Sequence, residues 1–224
     1  MKNDKILSEI LCIQKALNDE DIFFAKQICD ELITNISNEI NSQIAKNFNK
    51  KQAQSAAMHI LKNAPETHPH LSKSIISPDG FQFICDGYRM IKLHEHLPLP
   101  ENTETKLIER ANDFVPFAEK LLNAAILDCY SNGIKIDIST VKNFISIEKA
   151  KANANHFRLK NAPFEIIDGC WCDAVLLVDM LDILDDPIIH FSSTKVDEKA
   201  IYFEAKNGSG ILLPIRKPKT KENE

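Results

Sequence analysis

The sequence has few glycines, few aromatic residues and no long apolar run. Six glycines and 10 prolines among 224 residues exclude a collagen repeat and a low-complexity chain. No apolar stretch approaches the roughly 20 residues that span a bilayer, which excludes a polytopic membrane protein. A phosphate-binding glycine-rich loop and a Gly-x-Ser-x-Gly nucleophile elbow are also missing. With 44% hydrophobic residues, the chain is long enough for one sizeable core or two small ones.

The cysteines do not form a disulfide framework, because most of them lie inside apolar patterns, where a free thiol behaves as a small buried hydrophobe. The six are Cys12, Cys29, Cys85, Cys129, Cys170 and Cys172. The first residues combine charge with amphipathic spacing and lack the apolar core of a secretory signal. We therefore expect a cytoplasmic protein with free thiols.

The formal charge of -5 argues against a protein that coats nucleic acid over its whole surface, although it allows a local basic face. Residues 46–62 carry four lysines and no acid, and residues 142–160 have a net charge of +4. Neutralising a phosphate backbone requires such charges, but a solvated helix face is the simpler explanation of both stretches. The candidate nucleic-acid contacts are Lys46, Lys50, Lys51, Lys62, Lys149, Lys151 and Arg158.

The N-terminal residues 5–45 have helical spacing with a break at 18–21. Each half has an apolar stripe that water would destabilise, so the pattern predicts a helical hairpin over residues 1–47. A third helix is predicted from about Asn49 to Lys62, ending before Pro65.

After Pro69 the apolar period changes from about four to two. The runs 81–85 and 88–93, separated by Asp86-Gly87, predict a β-meander with a tight turn. Residues 97–160 are mainly helical, with a break or kink at Pro116 and a short strand at 134–138. The last third predicts a strand at 164–167, a helix at 173–184, strands at 188–191, 200–205 and 210–215, and a polar tail at 217–224.

Two segments together resemble the bacterial DNA-polymerase sliding clamps. GFQFICDGYRMIKL has their strand, Asp-Gly-aromatic-Arg, strand signature. CDAVLLVDMLDILDDPIIHFSS, followed by AIYFEAKNGSGILLPIR, has the order of the end of that fold: a leucine-rich helix, three strands and an apolar-Pro-apolar-Arg terminus. The resemblance covers roughly residues 48–95 and 163–216. It implies an α+β, clamp-like domain over 48–216, split by a mainly helical insertion at 97–160.

The resemblance also implies how such a domain would meet DNA. A bacterial clamp protomer joins three such domains and two protomers close a ring, so one domain would need six copies or other partners. Clamp channels are lined by basic helices, but residues 165–186 carry seven acids and no Lys or Arg. Like charge opposes DNA there, so Asp179 and Asp182 are instead candidates for binding a protein partner.

The C-terminal strand of clamps lines an apolar pocket that receives short peptides of polymerases and repair factors. Leu213, Pro214, Ile215 and Arg216 match that segment, and the resemblance implies a partner-binding role for them. The alternative is an edge strand whose Leu and Ile simply pack in the core.

Catalysis and metal binding have weak support in the sequence. His68 with His70, and His94 with His96, alternate as strand ligands do, but no third ligand has a recognised spacing. Asp86 and Arg89 are expected to form a turn with a surface ion pair. We expect no enzyme, no cofactor and no metal.

Two hypotheses for the function follow. The first is a non-catalytic clamp-like protein, of phage or mobile-element type, that associates with DNA replication or nucleic-acid machinery. The second is a protein-interaction module or inhibitor, phage or defence related, whose acidic surface imitates phosphate and which does not bind DNA. The sequence leaves open whether the chain forms a homo-oligomer.

Overall fold

The computed structural model describes residues 3–18, 21–129, 133–156, 159, 161–192 and 197–216. The predicted polar tail at 217–224 lies outside these residues. The chain divides into two compact units, Met1–Lys51 and Gln52–Glu224, whereas the sequence pattern predicts a boundary at residue 47. The architecture is mixed, with five α-helices, a 3-10 helix and an antiparallel six-stranded sheet among the described residues, so the α+β prediction is confirmed.

The first unit consists of helix α1 (Asn3–Asn18) and the first part of helix α2 (Ile22–Lys62). The side chain of Asp21 accepts a hydrogen bond from the backbone N–H of Phe24 at 3.0 Å, which caps the start of α2. Ala16 and Ala25 are buried on either side of the predicted break. The prediction of a separate third helix is wrong, since α2 continues without interruption to Lys62. Residues 46–51 contain neither glycine, proline nor a capping sequence that would end a helix.

Many large apolar side chains of this unit are nevertheless exposed, and Phe23 has 81% of its surface open to solvent. The others are Leu7, Ile10, Leu11, Leu17, Ile22, Phe24 and Ile33. Four of them, all on α1, lie on one face at helical spacing. The sequence predicts that the apolar faces of both helices are buried, but among the described residues this burial is incomplete.

The six-stranded sheet joins the two segments that the sequence analysis compares with clamps. Its strands are β1 (Ile75–Ile76), β2 (Gln82–Cys85), β3 (Arg89–Leu93), β6 (Ile188–His190), β7 (Ile201–Ala205) and β8 (Gly208–Leu212). Their order is β1-β2-β3-β8-β7-β6, and every pair is antiparallel. Each segment contributes three consecutive strands, and the last strands of the two segments, β3 and β8, pair at the centre of the sheet. From either edge inward, the strands of a segment therefore follow one another in chain order.

Two glycines allow the central strands to approach. A Cβ on Gly208 would lie 2.2 Å from the carbonyl oxygen of Lys92, and one on Gly210 would lie 2.6 Å from Met180 Cε. Larger residues at these positions would clash with β3 and with the helix above it.

One face of the sheet is covered by helices of both segments. The end of α2, from Gln52 onward, and helix α5 (Ala174–Ile183) place Ala57, Ile60, Leu177 and Met180 in one core with Ile84, Ile91 and Phe203 of the sheet. Helix α4 (Ile138–Ala154) packs against α5. Strands β4 (Pro163–Ile167) and β5 (Cys170–Asp173) form a separate two-stranded sheet.

The opposite face is covered by helix α3 (Thr105–Asp128) and the 3-10 helix Pro69–Ser72. Val115, Ala118 and Leu122 of α3 pack with Phe83, Met90 and Ile211 of the sheet. Because both faces are covered, β2 is buried at every residue. Pro116 lies inside α3, which continues through it to Asp128, so of the predicted break or kink the break is wrong.

Two further strand predictions need correction. Only Ile134 of the predicted strand at 134–138 pairs, in a single bridge with Ile189, and Ile138 already begins α4. The last strand ends at Leu212, after which the N–H of Leu213 donates to the carbonyl of Tyr88 and that of Ile215 to the carbonyl of Trp171. Among the described helices, none has the length and apolar character needed to cross a membrane.

Candidate functional site

The Asp86-Gly87 turn of the clamp-like signature is a closed hydrogen-bonded unit. Asp86 Oδ1 accepts from the backbone N–H groups of Tyr88 and Arg89, each at 3.0 Å, and Asp86 Oδ2 accepts from Arg89 Nε at 3.0 Å. Gly87 has a φ of +88°, which favours glycine at this position. The predicted surface ion pair is wrong, since Asp86 and Arg89 are 0% and 1% exposed. The sheet and α5 enclose them.

Arg89 connects this turn to α5. Its Nη1 donates to the carbonyl of Leu176 at 3.0 Å and to Asp179 Oδ2 at 2.7 Å. His59 of α2 also contacts Asp179 Oδ2, through Nδ1 at 2.6 Å. Asp179 is therefore a buried carboxylate between two helices and a strand, held by Arg89 and His59.

The neighbouring acid Asp182 is also paired inside the fold. It accepts from Gln52 Nε2 at 2.6 Å and from Lys142 Nζ at 2.9 Å, and its side chain is 12% exposed. Asp173 accepts from the N–H of Val175 and caps α5. The prediction that Asp179 and Asp182 present charge to a partner needs correction, because internal cations and donors hold both of them. The run of acidic residues in the sequence does not reveal these contacts, because the partner side chains belong to distant elements such as α2 and α4.

The opposite face of the sheet has an apolar cavity of about 580 Å³, hereafter the groove. It lies between the 3-10 helix, α3 and the strands β2, β3 and β8. Its apolar lining comprises Pro65, Leu71, Cys85, Tyr88, Met90, Phe114, Phe117, Leu121, Ile211 and Leu213. Its other lining residues are His68, His70, Gly87, Arg89, Arg110 and Asp113.

The mouth of the groove is made of exposed apolar side chains. Leu213, Tyr88 and Phe117 are 44%, 62% and 56% exposed. Leu213 therefore lies at the mouth rather than in the core. Pro214 and Ile215 are half-buried, Arg216 is exposed, and none of these three lines the groove. Of the predicted partner-binding segment, the structure brings only Leu213 to this cavity.

Two buried side chains that line the groove, His70 and Arg89, each have one ring or guanidinium nitrogen without a hydrogen-bond partner among the described residues, Nδ1 of His70 and Nη2 of Arg89. His70 is 8% exposed. Its ring packs edge-on against Phe114, with 6.2 Å between the centroids. Burial lowers the pKa of His70 below its ordinary value, and the charges of His68 and Arg110 lower it further. The neutral imidazole is thereby favoured.

Cys85 also lines the groove, and its chemistry is inert. The N–H of Gly87 donates to its sulfur at 3.4 Å, yet burial raises the pKa of the thiol to about 11. A thiolate is required for nucleophilic attack, so Cys85 acts here as an apolar wall.

The predicted basic contacts are exposed where the structure describes them. Lys50, Lys51, Lys62, Lys149 and Lys151 lie on α2 and α4 with exposed side chains. Lys151 pairs with Glu148 at 2.7 Å. The side chain of Lys46 and all of Arg158 lie outside the described residues.

The rings of His68 and His70 lie 5.9 Å apart between centroids, whereas His94 and His96 contact different groups. The ring of His94 packs against Phe81, with 5.6 Å between the centroids, and His96 Nε2 lies 2.8 Å from the carbonyl oxygen of Gly80. Within the described part of the chain, no group of three or more His, Cys, Asp or Glu could hold a metal ion. Cys170 and Cys172 are buried free thiols.

The chain matches no protein-family model, no curated protein and no solved structure. The geometry of the groove is therefore the basis for inferring its function. Sequence analysis missed most of the groove, since Leu71 and Phe114 are separated from Leu213 by about half the chain or more. The amphipathic pattern of α3 was the one feature of the sequence that pointed to the rest of this site, because the apolar face of a helix packs against another part of the fold.

Proposed function

We propose that this chain is a non-catalytic, clamp-like protein that associates with DNA-replication or nucleic-acid machinery by binding a short apolar peptide of a partner in the groove. The observation that carries the proposal is an apolar cavity of about 580 Å³ whose mouth includes Leu213. This residue belongs to the segment that the clamp resemblance implies in peptide binding.

The topology supports the clamp-like part of the proposal. Each of the two similar segments contributes three antiparallel strands, and the two sets meet at β3 and β8 in one sheet. The end of α2 and α5 lie on the same face of that sheet, and Asp179 joins them through His59 and Arg89. Two helices on one face of a shared sheet are what a clamp-like domain would have, so this arrangement supports the proposal.

The groove has the physical character of a peptide site. Isolated exposed apolar residues are ordinary on protein surfaces, but exposed residues that rim an apolar cavity mark interaction sites. Burying a Leu or Phe side chain of a partner contributes about 1.5–3 kcal/mol. Two such anchors contribute about 3–6 kcal/mol, so a micromolar complex, which needs about 8 kcal/mol, also requires backbone hydrogen bonds and further apolar contacts.

The test is a binding assay with a defined probe. A fluorescent peptide that copies the clamp-binding segment of a bacterial replicative polymerase should bind with a micromolar dissociation constant, measured by anisotropy. Leu213→Asp places a charge at the mouth and should weaken binding at least tenfold. Leu127→Asp, which changes an exposed leucine of α3 outside the groove, should leave it unchanged. No binding at several hundred micromolar peptide, or equal binding by both variants, would contradict the proposal.

A second candidate is an interaction module that uses the groove without touching DNA. The packing of α4 against α5 favours it, because α5 matches a DNA-facing helix of clamps and is partly covered here by the insertion. Both candidates predict the same peptide binding. They differ in whether DNA binds through the exposed lysines, which the salt dependence of DNA affinity decides.

A further inference from the structure

We infer that the groove selects peptides that carry a carboxylate beside the apolar anchor, and that Arg110 and His70 receive this carboxylate. The inference rests on the proposed function of the groove and specifies the chemistry of its partner. It depends on three observations: a buried unpaired ring nitrogen, an unpaired arginine at the mouth, and the balance of charge around them.

The first observation is the unpaired nitrogen of His70. A buried polar atom without a hydrogen-bond partner is destabilising, so native structures rarely leave one unsatisfied. His70 lies in the wall of the groove, where an oxygen of a bound peptide could supply the missing partner. A carboxylate oxygen accepts from the ring once the imidazole is protonated, which forms a charge-assisted hydrogen bond.

The second observation is Arg110. It lies on α3, is exposed, lines the groove, and has no ion-pair or hydrogen-bond partner among the residues that the structure describes. Its charge reaches His70, whose pKa it lowers. A guanidinium matches the two oxygens of a carboxylate, so Arg110 and His70 together offer donors to one acidic group.

The third observation is the charge that surrounds His70 from each neighbouring element. The 3-10 helix and the residue before it contribute His70 and His68, and α3 contributes Arg110 and Asp113. The sheet contributes Arg89, whose charge is compensated by Asp86 and Asp179. Asp113 is the one acid among the lining residues, against Arg110 and the unpartnered Nδ1 of His70, whereas His68 Nδ1 already lies 2.9 Å from Thr67 Oγ1. The local field therefore favours an anionic group beside the apolar surface.

Proton uptake should accompany the binding of such a peptide. The free groove holds His70 neutral, since burial and the nearby positive groups oppose its protonation. A bound carboxylate reverses this balance and raises the pKa of His70, so the complex takes up a proton. The affinity for an acidic peptide should accordingly rise as the pH falls from 7.5 to 5.5, while the peptide carboxylate stays ionised.

The experiment is a selection from a library of random displayed peptides against the full chain. We expect the enriched peptides to combine apolar residues with Asp or Glu. One enriched peptide is then synthesised with its acid and with the matching amide, and the acidic form should bind at least tenfold more tightly at pH 6. Arg110→Glu should remove or reverse that preference, whereas the control Lys106→Glu, on the same helix outside the groove, should retain it. His70→Phe should abolish the pH dependence.

The outcomes separate the two proposals. If selected peptides bind and Leu213→Asp weakens them, but acid and amide forms bind equally or Arg110→Glu has no selective effect, this inference is overturned and the proposed function stands. If no peptide is enriched over a library selected against Leu213→Asp, both are overturned. Should His70→Phe fail to fold, the exposed Arg110 still decides the question.

Discussion

Arg89 Nη1 donates to Asp179 Oδ2 at 2.7 Å and so joins β3 to α5 across 90 residues of sequence. The same guanidinium donates through Nε to Asp86. One buried cation therefore pairs with two carboxylates, one from the turn and one from the helix. This contact fixes α5 above the sheet, on the face opposite the groove.

Replacing Arg89 should destabilise the fold strongly. Arg89→Met leaves Asp86 and Asp179 without their shared cation in a buried position, and breaking a buried ion pair costs about 3–5 kcal/mol. Urea denaturation should show a loss of that size in the free energy of unfolding. The control Arg216→Met changes an exposed arginine and should stay within about 0.5 kcal/mol. A change at Arg89 no larger than the control would show that the network adds little to stability.

The cysteines should react with a thiol reagent in an order set by exposure and acidity. Cys12 is exposed, whereas burial raises the pKa of the Cys85 and Cys170 thiols to about 11 and that of Cys172 further still. At pH 8, Cys12 should react with an aromatic disulfide reagent within minutes, and the three buried thiols only after unfolding. Cys12→Ser should remove the fastest phase, whereas the half-buried Cys29 and Cys129 should react at intermediate rates in both proteins. Fast reaction of Cys85 in the native protein would contradict the burial described here.

The sequence predicted those parts of the fold that local patterns determine. Asp-Gly between alternating runs gave the turn at Asp86, and Asp173 before a leucine-rich stretch gave the start of α5 within a residue. The sequence pattern does not predict the continuity of α2, although residues 46–51 contain neither glycine nor proline to end a helix. Pro116 was overestimated as a helix breaker, since packing of Val115 and Ala118 against the sheet outweighs one missing hydrogen bond.

The candidate site was less predictable, because its residues are distant in sequence. Leu213 was identified by resemblance, but His70, Phe114 and Arg110 reach the same cavity only through the tertiary packing of α3. The expectation that Asp179 and Asp182 face a partner fails for the same reason, namely distance along the sequence. Their partners His59, Arg89 and Lys142 lie on other elements, and no local pattern reveals such pairs.

DNA binding, if it contributes to function, should depend on exposed lysines of α2. Lys50→Glu with Lys51→Glu removes two charges that can neutralise phosphates and should weaken binding to duplex DNA at least tenfold at 50 mM salt. The wild-type affinity should also fall steeply with salt. Lys106→Glu with Lys120→Glu, on α3, is the matched control and should have a smaller effect. An absence of salt-dependent binding by the wild type would favour the interaction module without DNA.

The exposed apolar side chains of the first unit should cause self-association. Eight large residues, including Phe23 and Leu11, are open to solvent in this unit, and together they offer area on the order of the 800 Å² per partner typical of stable interfaces. Light scattering after size exclusion should give a molar mass that rises with protein concentration. Phe23→Asp with Leu11→Asp should shift the protein to monomer, whereas Lys26→Asp should not. A wild-type monomer at all concentrations would show that these residues do not mediate self-association.

The central claim is that the groove beside Leu213 receives a partner peptide, and amide chemical-shift mapping tests it most directly. Titration of the polymerase-derived peptide into isotope-labelled protein should shift the amides of Gly87, Tyr88, Phe117 and Leu213 in a saturable manner. The amides of β6, at the far edge of the sheet, should stay unchanged. Saturable shifts confined to residues outside the groove, or no shifts at all, would contradict the account.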